Sequence, residues 1–246
     1  AAADFIAGHI AGAQLFDIDD FSDHTTAIPH MLPGAADFAR RLGAMGIGGS
    51  DRIVVYDSKG IYSAPRVWWM LRAIGANNVA VLDGGLPKWR REGRPLASGQ
   101  SRRRQPTTFI ARPDPTLVRS LAEMRDIVAN ASAVIVDARS AGRFEGSEPE
   151  PRPGLRSGHI PTSRNLPFGK LVAADGTLRP AVELAGAIAA AGVASGRPIV
   201  ASCGSGVTAA IVALALATLG RSDVAIYDGS WSEWGGRDDL TVATGS

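Results

Sequence analysis

The sequence contains two related segments, Val200-Ala201-Ser202-Cys203-Gly204-Ser205-Gly206 and its earlier counterpart Val54-Val55-Tyr56-Asp57-Ser58-Lys59-Gly60, and they indicate the architecture of the chain. In each copy a short apolar run leads into a glycine-containing loop. Two more motifs recur in the same order and at nearly the same spacing, Gly8-His9-Ile10 as Gly158-His159-Ile160 and Asp83-Gly84-Gly85 as Asp228-Gly229-Ser230. Three ordered matches predict two homologous domains in tandem and not a short-period solenoid.

Short apolar runs alternate with helical runs along both halves. In the second half the runs predicted as buried parallel strands are residues 133–137, 199–202 and 224–227, and those predicted as helices are 181–191 and 207–219, the latter ended by Gly220. In the first half the predicted strands are 52–56 and 79–82, and the predicted helix is 65–74. Strands that alternate with helices indicate an α/β fold, in which helices cover both faces of a parallel sheet.

The polar stretch between the two halves sets the predicted domain boundaries. Residues 99–106 contain glycine, proline and three consecutive arginines without periodicity, as linkers do. We therefore predict a first domain over residues 1–98, a linker over 99–115 and a second domain over 116–246. The second half has a predicted strand well before its Gly-His-Ile motif and the first half does not. Either the first domain lacks this strand or the strand lies upstream of Ala1, and we expect the latter.

Composition and charge exclude several classes of protein. With 45% hydrophobic and 20% charged residues among 246, the chain has the composition of a globular protein. We expect no membrane partner, because the longest apolar run is too short to span a bilayer and no signal peptide is visible. A net charge of +2 does not mark a nucleic-acid-binding protein. The sequence shows no metal-ligand spacing, P-loop or dinucleotide fingerprint, so we expect neither metal nor cofactor.

Cys203 is the one cysteine of the chain. It cannot form an internal disulfide, so we expect a reducing compartment, the cytoplasm. It follows a predicted buried strand and precedes a helix, and ligands bind at that end of the strands in parallel α/β sheets. The glycines of the loop allow successive N–H groups to converge into an anion-binding nest at the helix N-terminus. A thiol in this environment is expected to be partly ionised at neutral pH, as a nucleophile requires.

The loop does not suit every cysteine chemistry. A phosphatase loop needs an arginine six residues after the cysteine, and Ala209 stands there. A cysteine protease or amidase needs a histidine as general base. His9 and His159 belong to the repeated Gly-His-Ile motif, which the cysteine-free half shares, so we interpret both as structural.

Motifs along the whole chain resemble those of the two-domain sulfurtransferases of the rhodanese superfamily. Besides the Cys203 loop and the two Gly-His-Ile motifs, they are residues 63–70, 142–144, 148–152 and 228–234. The resemblance implies two tandem rhodanese-like α/β domains, of which the second is catalytic and the first, with Asp57 in place of the cysteine, is not. It also implies an enzyme that moves sulfur from 3-mercaptopyruvate through a cysteine persulfide to a thiol or cyanide, with release of pyruvate.

Two arginines are implied to bind the donor. Residues 140–158 are rich in glycine, proline and glutamate and contain Arg143, Arg152 and Arg156. The residues alone leave two interpretations open, a solvated loop that pairs its own glutamates or a carboxylate clamp, for which the planar guanidinium is suited. The resemblance assigns the substrate carboxylate to Arg143 and Arg152 and gives no role to Arg156.

The resemblance also implies the remaining site residues. Cys203 is the nucleophile, and Ser205, linked to His30 and Asp19, protonates the enolate that remains after sulfur is removed. By themselves, Ser205 is interpreted as a turn residue and His30 as a loop histidine bonded to backbone. The other residues implied to contact the donor are those of the loop, Gly204, Gly206, Val207 and Thr208.

Three functions are compatible with the sequence. Thiosulfate is a dianion, and Gly204 and Ser205 beside the cysteine are uncharged, so the loop suits a monoanionic donor such as 3-mercaptopyruvate better. The alternatives are a thiosulfate:cyanide sulfurtransferase and a sulfur-carrier or docking module with little turnover of small donors. The expected partners are the small-molecule donor and a thiol acceptor, such as thioredoxin or a sulfur-relay protein.

Overall fold

A computed structural model describes residues 2–102, 104–193 and 196–245 of the chain. The chain divides into two compact units. The first comprises the chain up to Thr25, Leu32–Asp114 and Ala174–Thr177, and the second comprises Thr26–Met31, Pro115–Ala173 and the chain from Leu178 onward. The second unit therefore includes His30, which is distant from the rest of that unit in sequence.

The first unit is built around two parallel strands. Its elements are α1 (Ala2–Ala7), α2 (Ala35–Ala44), β1 (Ile53–Val55), α3 (Ala64–Ala73), β2 (Val79–Val81) and α4 (Gly85–Arg91). β1 pairs with β2 so that Ile53 faces Val79, and neither strand is fully buried. α3 is the most buried helix of this unit, and Pro65 stands in its first turn, where no N–H is needed.

The second unit contains a five-stranded parallel sheet. Its strands are β3 (Val118–Arg119), β4 (Val134–Asp137), β5 (Arg164–Asn165), β6 (Ile199–Ser202) and β7 (Ala225–Tyr227), and its helices are α5 (Leu121–Asn130), α6 (Ala141–Glu145), α7 (Ala181–Ala190), α8 (Ala209–Thr218) and α9 (Ser230–Trp234), with 3-10 turns at Pro115–Leu117 and Phe168–Lys170. The strand order is β3-β7-β6-β4-β5. β6 is central and entirely buried, as expected of a strand covered on both faces.

Helix α8 packs on the central strands β6 and β7. Its residues from Ala209 to Leu216 are all buried, because alanine and leucine combine high helix propensity with an apolar surface. The helix is followed by Gly220, whose φ of 88° is a left-handed conformation that glycine adopts readily. The N–H groups of Gly220 and Arg221 donate to the carbonyls of Ala217 and Leu216, the pattern of a Schellman motif. The predicted stop at Gly220 is confirmed.

The repeated Gly-His-Ile motif builds the same local structure in both units. His9 stacks on Phe5 with ring centroids 4.0 Å apart, and His159 stacks on Phe144 at 3.7 Å. In each pair the histidine Nδ1 lies within hydrogen-bonding distance of the carbonyl of the stacked phenylalanine, at 2.9 and 2.8 Å. Each histidine also forms an antiparallel bridge with a later segment of its own unit. These contacts support the structural interpretation of both histidines.

The interpretation of residues 140–158 as one loop needs correction, because α6 lies within it. The helix begins after Ser140, whose hydroxyl accepts the N–H of Arg143 at 3.4 Å, and it ends at Gly146, which has a φ of 85°. A five-residue helix is too short to show a 3.6-residue hydrophobic period, so the sequence pattern did not reveal it.

Other element boundaries move by one or two residues, and the region predicted as a linker packs on the first unit. The N–H of Thr107 donates to the carbonyl of Gly43 at 2.9 Å, and the N–H of Arg112 donates to that of Ile74 at 2.8 Å. A Cβ at position 43 would lie 2.5 Å from the Thr107 carbonyl oxygen, so this approach requires glycine. Within the described ranges, no helix has the length and apolar character needed to cross a membrane.

Candidate active site

Cys203 stands at the carboxyl end of the central strand β6 and is 2% exposed. The first turn of α9 holds the backbone at this position. The carbonyl of Cys203 accepts the N–H of Trp231 at 2.9 Å, and the carbonyl of Gly204 accepts the N–H and the hydroxyl of Ser232 at 2.9 and 2.7 Å. These bonds tie the start of the cysteine loop to a helix that follows the neighbouring strand β7.

Ser230 holds the amide of Cys203. Its Oγ accepts the Cys203 N–H at 3.2 Å and donates to the carbonyl of Tyr227 at 2.8 Å. Ser230 is fully buried and has a φ of 49°, a left-handed conformation that is uncommon for residues other than glycine. The corresponding residue of the first unit is Gly85, with a φ of 50°. The second unit therefore keeps a strained backbone at this position, and the serine adds a hydroxyl bonded to the cysteine amide.

The first unit shows how this type of loop binds an anion. Asp57 occupies the position that corresponds to Cys203. The N–H groups that its carboxylate accepts, at 2.8 to 3.0 Å, are those of Lys59, Tyr62, Ser63 and Ala64. These amides belong to the loop and to the beginning of α3, where N–H groups lack partners within the helix. A carboxylate therefore fills the nest of the first unit.

The loop of the second unit carries the corresponding amides next to a thiol. In the part of the chain that the structure describes, the N–H groups of Ser205, Val207 and Thr208 donate to no protein acceptor. In the repeat, Ser205 corresponds to Lys59 and Thr208 corresponds to Tyr62, and the N–H groups of Lys59 and Tyr62 donate to Asp57. Gly206, with a φ of 76°, provides the left-handed turn of the loop. The loop can therefore bind an anionic sulfur carried by the cysteine.

Arg143 and Arg152 both reach the cysteine loop. A Cβ built on Gly204 would lie 3.1 Å from Nη2 of Arg143 and 3.8 Å from Nη1 of Arg152. Nη2 of Arg152 also donates to Oγ of Ser205 at 3.3 Å. α6 supplies Arg143 and the segment that follows supplies Arg152, so this region brings two guanidinium groups to the residue after Cys203. Such a pair is suited to a carboxylate.

A buried ion-pair network lies next to Arg143. The carboxylate of Glu150 accepts hydrogen bonds from Nε and Nη2 of Arg143, at 3.2 and 2.5 Å. It also accepts one from Nη1 of Arg139 at 2.6 Å. Arg139 also pairs with Asp137 at the end of β4, and its guanidinium lies 4.3 Å from the ring centroid of Trp231. Burial alone would lower the pKa of Arg139, but the charges and hydrogen bonds of Asp137 and Glu150 raise that pKa above its usual value.

His30 and Ser205 lie together although 175 residues separate them in sequence. Nδ1 of His30 is 2.8 Å from Oγ of Ser205, and Ser205 is buried. His30 has a φ of 61°, and left-handed residues other than glycine cluster at functional sites. The Ser205 hydroxyl thus contacts a histidine ring on one side and the cation of Arg152 on the other.

Asp19 and Arg156 differ from the residues described so far. Asp19 belongs to the first unit, where it is exposed and its N–H donates to Oδ1 of Asp17 at 3.0 Å. Its implied link to His30 stays a prediction.

Arg156 binds the backbone. The carbonyl groups that accept hydrogen bonds from its guanidinium are those of Trp234, Gly235, Arg237 and Leu240. This pattern marks Arg156 as a structural residue.

Comparisons with known proteins identify the family. Residues 1–92 and 120–237 match the sequence profile of the Rhodanese-like domain. The chain belongs to the rhodanese family. The match of both halves confirms the predicted fold class, two rhodanese-like α/β domains in tandem.

Several relatives of this chain are named as sulfurtransferases. The 3-mercaptopyruvate sulfurtransferase of Homo sapiens is 44% identical over 95% of this chain and 79% of its own length. The thiosulfate/3-mercaptopyruvate sulfurtransferase 1, mitochondrial, of Arabidopsis thaliana is 44% identical over 95% of this chain and 67% of its own length. The crystal structure of SseA from Escherichia coli, presented as a 3-mercaptopyruvate sulfotransferase, covers 94% of this chain and 86% of its own, with a TM-score of 0.85 and 41% identity. The predicted sulfurtransferase function is confirmed.

Three residues of the candidate site, Ser230, Arg139 and Glu150, were not predicted from the sequence. The signal for Ser230 was present, because the repeat has glycine at the same place and a glycine-to-serine change there needs a reason. The signal for Arg139 was its position two residues after the end of β4, at the carboxyl end of the sheet where ligands bind. Nothing in the sequence distinguished Glu150 from its exposed neighbour Glu148. In the described ranges, no cluster of His, Cys, Asp or Glu could hold a metal ion.

Proposed function

We propose that this rhodanese-family protein takes sulfur from 3-mercaptopyruvate, carries it as a persulfide on Cys203 and passes it to a thiol. The observation that supports the proposal most directly is the position of Arg143 and Arg152 at Gly204, next to the cysteine. The donor has one carboxylate and one sulfur a few bonds apart, so a carboxylate held by the two arginines leaves the sulfur close to the thiol. The names of the human and bacterial relatives support the same donor.

The first half-reaction breaks a carbon–sulfur bond. The thiolate of Cys203 attacks the sulfur of 3-mercaptopyruvate, and the electron pair of the carbon–sulfur bond remains on the three-carbon fragment. That fragment leaves as the enolate of pyruvate, and the cysteine keeps the sulfur as a persulfide. Loop amides stabilise the anionic sulfur, as the corresponding amides of the first unit bind the carboxylate of Asp57.

The enolate then needs a proton, and we assign its delivery to Ser205. The hydroxyl of Ser205 lies 2.8 Å from Nδ1 of His30. A hydroxyl that gives its proton to carbon can recover one from the histidine ring, which exchanges protons near neutral pH. The family resemblance names Asp19 as the third member of this relay, and that role stays a prediction.

The second half-reaction returns the cysteine to its starting state. A thiolate or cyanide acceptor attacks the outer sulfur of the persulfide, and Cys203 leaves as the thiolate. The acceptors that we propose are small thiols and protein thiols, such as thioredoxin or a sulfur-relay protein. A reducing compartment such as the cytoplasm keeps these acceptors in the thiol form.

Mass spectrometry of the protein tests the proposal. After incubation with 3-mercaptopyruvate and no acceptor, we expect the peptide that contains Cys203 to gain the mass of one sulfur atom. One pyruvate should appear for each persulfide formed, and Cys203→Ser should abolish both products. A Cys203 peptide of unchanged mass in the presence of the donor would contradict the mechanism.

A comparison of donors under one acceptor separates the alternatives. Faster turnover of thiosulfate than of 3-mercaptopyruvate would favour a thiosulfate:cyanide sulfurtransferase, and the name of the Arabidopsis relative includes both donors. Persulfide formation from a protein donor, with little turnover of either small donor, would favour a sulfur carrier. We expect 3-mercaptopyruvate to be the better donor.

A further inference from the structure

Glu150 is a buried carboxylate that joins two arginines. Its side chain is 2% exposed, and it accepts both Nε and Nη2 of Arg143 while it accepts Nη1 of Arg139. A carboxylate that binds the guanidinium through two nitrogens fixes the plane of the group as well as its position. Glu150 therefore determines how Arg143 is presented to the residue after Cys203.

The position of Glu150 is itself fixed by Arg139. The guanidinium of Arg139 binds both carboxylate oxygens of Asp137, at 3.0 and 2.6 Å for Oδ2 and 3.1 Å for Oδ1, and it donates to the carbonyl of Gly158 at 2.8 Å. It also lies over the ring of Trp231. Asp137 ends β4, and Trp231 belongs to α9, so the network is anchored to the same sheet edge that carries the cysteine.

The network also sets the local charge. Asp137 and Glu150 are two anions, and Arg139 and Arg143 are two cations, so the four charges cancel. Arg152 has no ion pair among the described residues, and it supplies one further positive charge beside the cysteine loop. Among these five side chains one positive charge is left uncompensated, which matches a monoanionic donor. A dianion such as thiosulfate would gain more from a second uncompensated cation.

We propose that Glu150 is a positioning and specificity residue that adapts the site to a monoanionic 2-oxo acid donor and disfavours dianionic donors. The inference rests on the proposed function, because it takes Arg143 and Arg152 as the groups that bind the donor. Glu150 acts by holding the fork of Arg143 and by cancelling its charge.

The experiment measures kcat and KM for 3-mercaptopyruvate and for thiosulfate with one acceptor, in Glu150→Gln and Glu150→Asp. Glu150→Gln removes the charge in nearly the same shape. Loss of one negative charge favours a dianion twice as much as a monoanion, so we expect the ratio of kcat/KM for thiosulfate to that for 3-mercaptopyruvate to rise about tenfold or more. Glu148→Gln is the matched control, because Glu148 is exposed and bonds to Ser140. We expect no change of this ratio in the control.

Glu150→Asp separates the two actions of the residue and covers the case in which Glu150→Gln fails to fold. The shorter side chain keeps the charge but cannot bridge both arginines. We expect KM for 3-mercaptopyruvate to rise about threefold or more, kcat to stay within about twofold and the donor ratio to shift less than in Glu150→Gln. An unchanged KM in Glu150→Asp would overturn the positioning role, and an unchanged donor ratio in folded Glu150→Gln would overturn the specificity role.

Persulfide formation distinguishes a failure of this inference from a failure of the proposed function. If the wild-type protein forms the Cys203 persulfide from 3-mercaptopyruvate and the variants differ from it neither in donor ratio nor in KM, only the role of Glu150 is wrong. If the wild-type protein forms no persulfide from 3-mercaptopyruvate, the proposed function is wrong and the inference falls with it.

Discussion

A comparison of Cys203 with Asp57 explains how the cysteine loop can bind an anion. They occupy the same position in the two halves of the repeat, and the Asp57 carboxylate accepts four backbone N–H groups. A loop that binds a carboxylate in one unit is preorganised for an anion in the other. The first unit thus shows that the amides of this loop bind negative charge.

An aspartate at position 203 should therefore be accommodated. We expect Cys203→Asp to be inactive but about 1–2 kcal/mol more stable than Cys203→Ala, because the carboxylate gains hydrogen bonds from amides that alanine leaves without an acceptor. Chemical denaturation followed by circular dichroism measures the difference. A Cys203→Asp protein that is less stable than Cys203→Ala would show that the second loop does not form the nest seen around Asp57.

Ser230 offers a way to separate stability from activity. Ser230→Gly relieves the strain of the left-handed backbone, because glycine adopts this conformation readily, as Gly85 does at nearly the same φ in the first unit. Ser230→Ala removes the hydroxyl but keeps the strain. We expect Ser230→Gly to be more stable than Ser230→Ala by about 1 kcal/mol. Both variants should lose about tenfold in kcat, since the amide of Cys203 is no longer held.

Thermal unfolding and steady-state kinetics on the same two variants check this expectation. Full kcat in Ser230→Gly would mean that the bond from Ser230 to the Cys203 amide does not position the nucleophile. Equal stability of the two variants would mean that the left-handed conformation stores no strain.

At the scale of elements, α6 and the segment that follows it form the donor-binding side of the proposed site. The helix is only five residues long, but its cap at Ser140 and the ion pairs of Glu150 hold it in place. Arg143 and Arg152 approach the loop from this region, and Arg156 at its far end binds backbone carbonyls. One segment of chain thus contains two proposed substrate-binding arginines and one structural arginine.

The two proposed substrate-binding arginines should show a donor-specific loss when removed. We expect Arg143→Ala and Arg152→Ala each to reduce kcat/KM for 3-mercaptopyruvate about 10- to 100-fold, the value of a charge-assisted hydrogen bond. The loss with thiosulfate should be smaller, because thiosulfate loses only the attraction of one positive charge, whereas the carboxylate of 3-mercaptopyruvate also loses its charge-assisted hydrogen bonds to the guanidinium. Arg179→Ala is the control, since Arg179 is a partly exposed arginine that pairs with Glu183. Equal losses with both donors would contradict a carboxylate clamp.

At the scale of the whole molecule, the two units are built on unequal sheets. Among the described residues the second unit has five strands, and its central strand is buried throughout, whereas the first unit has two short strands that are only partly buried. A two-stranded sheet has little stability of its own. The first unit therefore depends on its helices, above all on the buried α3.

Hydrogen exchange should show this inequality directly. We expect the amides of β1 and β2 to exchange faster than those of β6 and β7, because local opening costs less where fewer apolar contacts are lost. Exchange followed by mass spectrometry of peptic fragments measures the difference. The reference within the same molecule is helix α8, whose amides we expect to be among the slowest. Equal protection of both sheets would contradict the prediction.

Much of the fold could be predicted because its signals are local. The apolar runs of the strands, the alanine-rich helix α8 and its stop at Gly220 all depend on residues that are neighbours in sequence. α6 could not be predicted, because one turn of helix has no period to detect. The domain boundaries and the roles of the site residues stay predictions.

Motifs and local patterns were enough to predict a tandem repeat of α/β domains and to show that Cys203 has no cysteine counterpart in the first copy. The contacts by which Ser230 holds the Cys203 amide and Glu150 anchors Arg143 became visible only in the folded chain. These contacts join segments that are distant in sequence or buried in one network, and they exist because the carboxyl ends of parallel strands meet at one edge of the sheet.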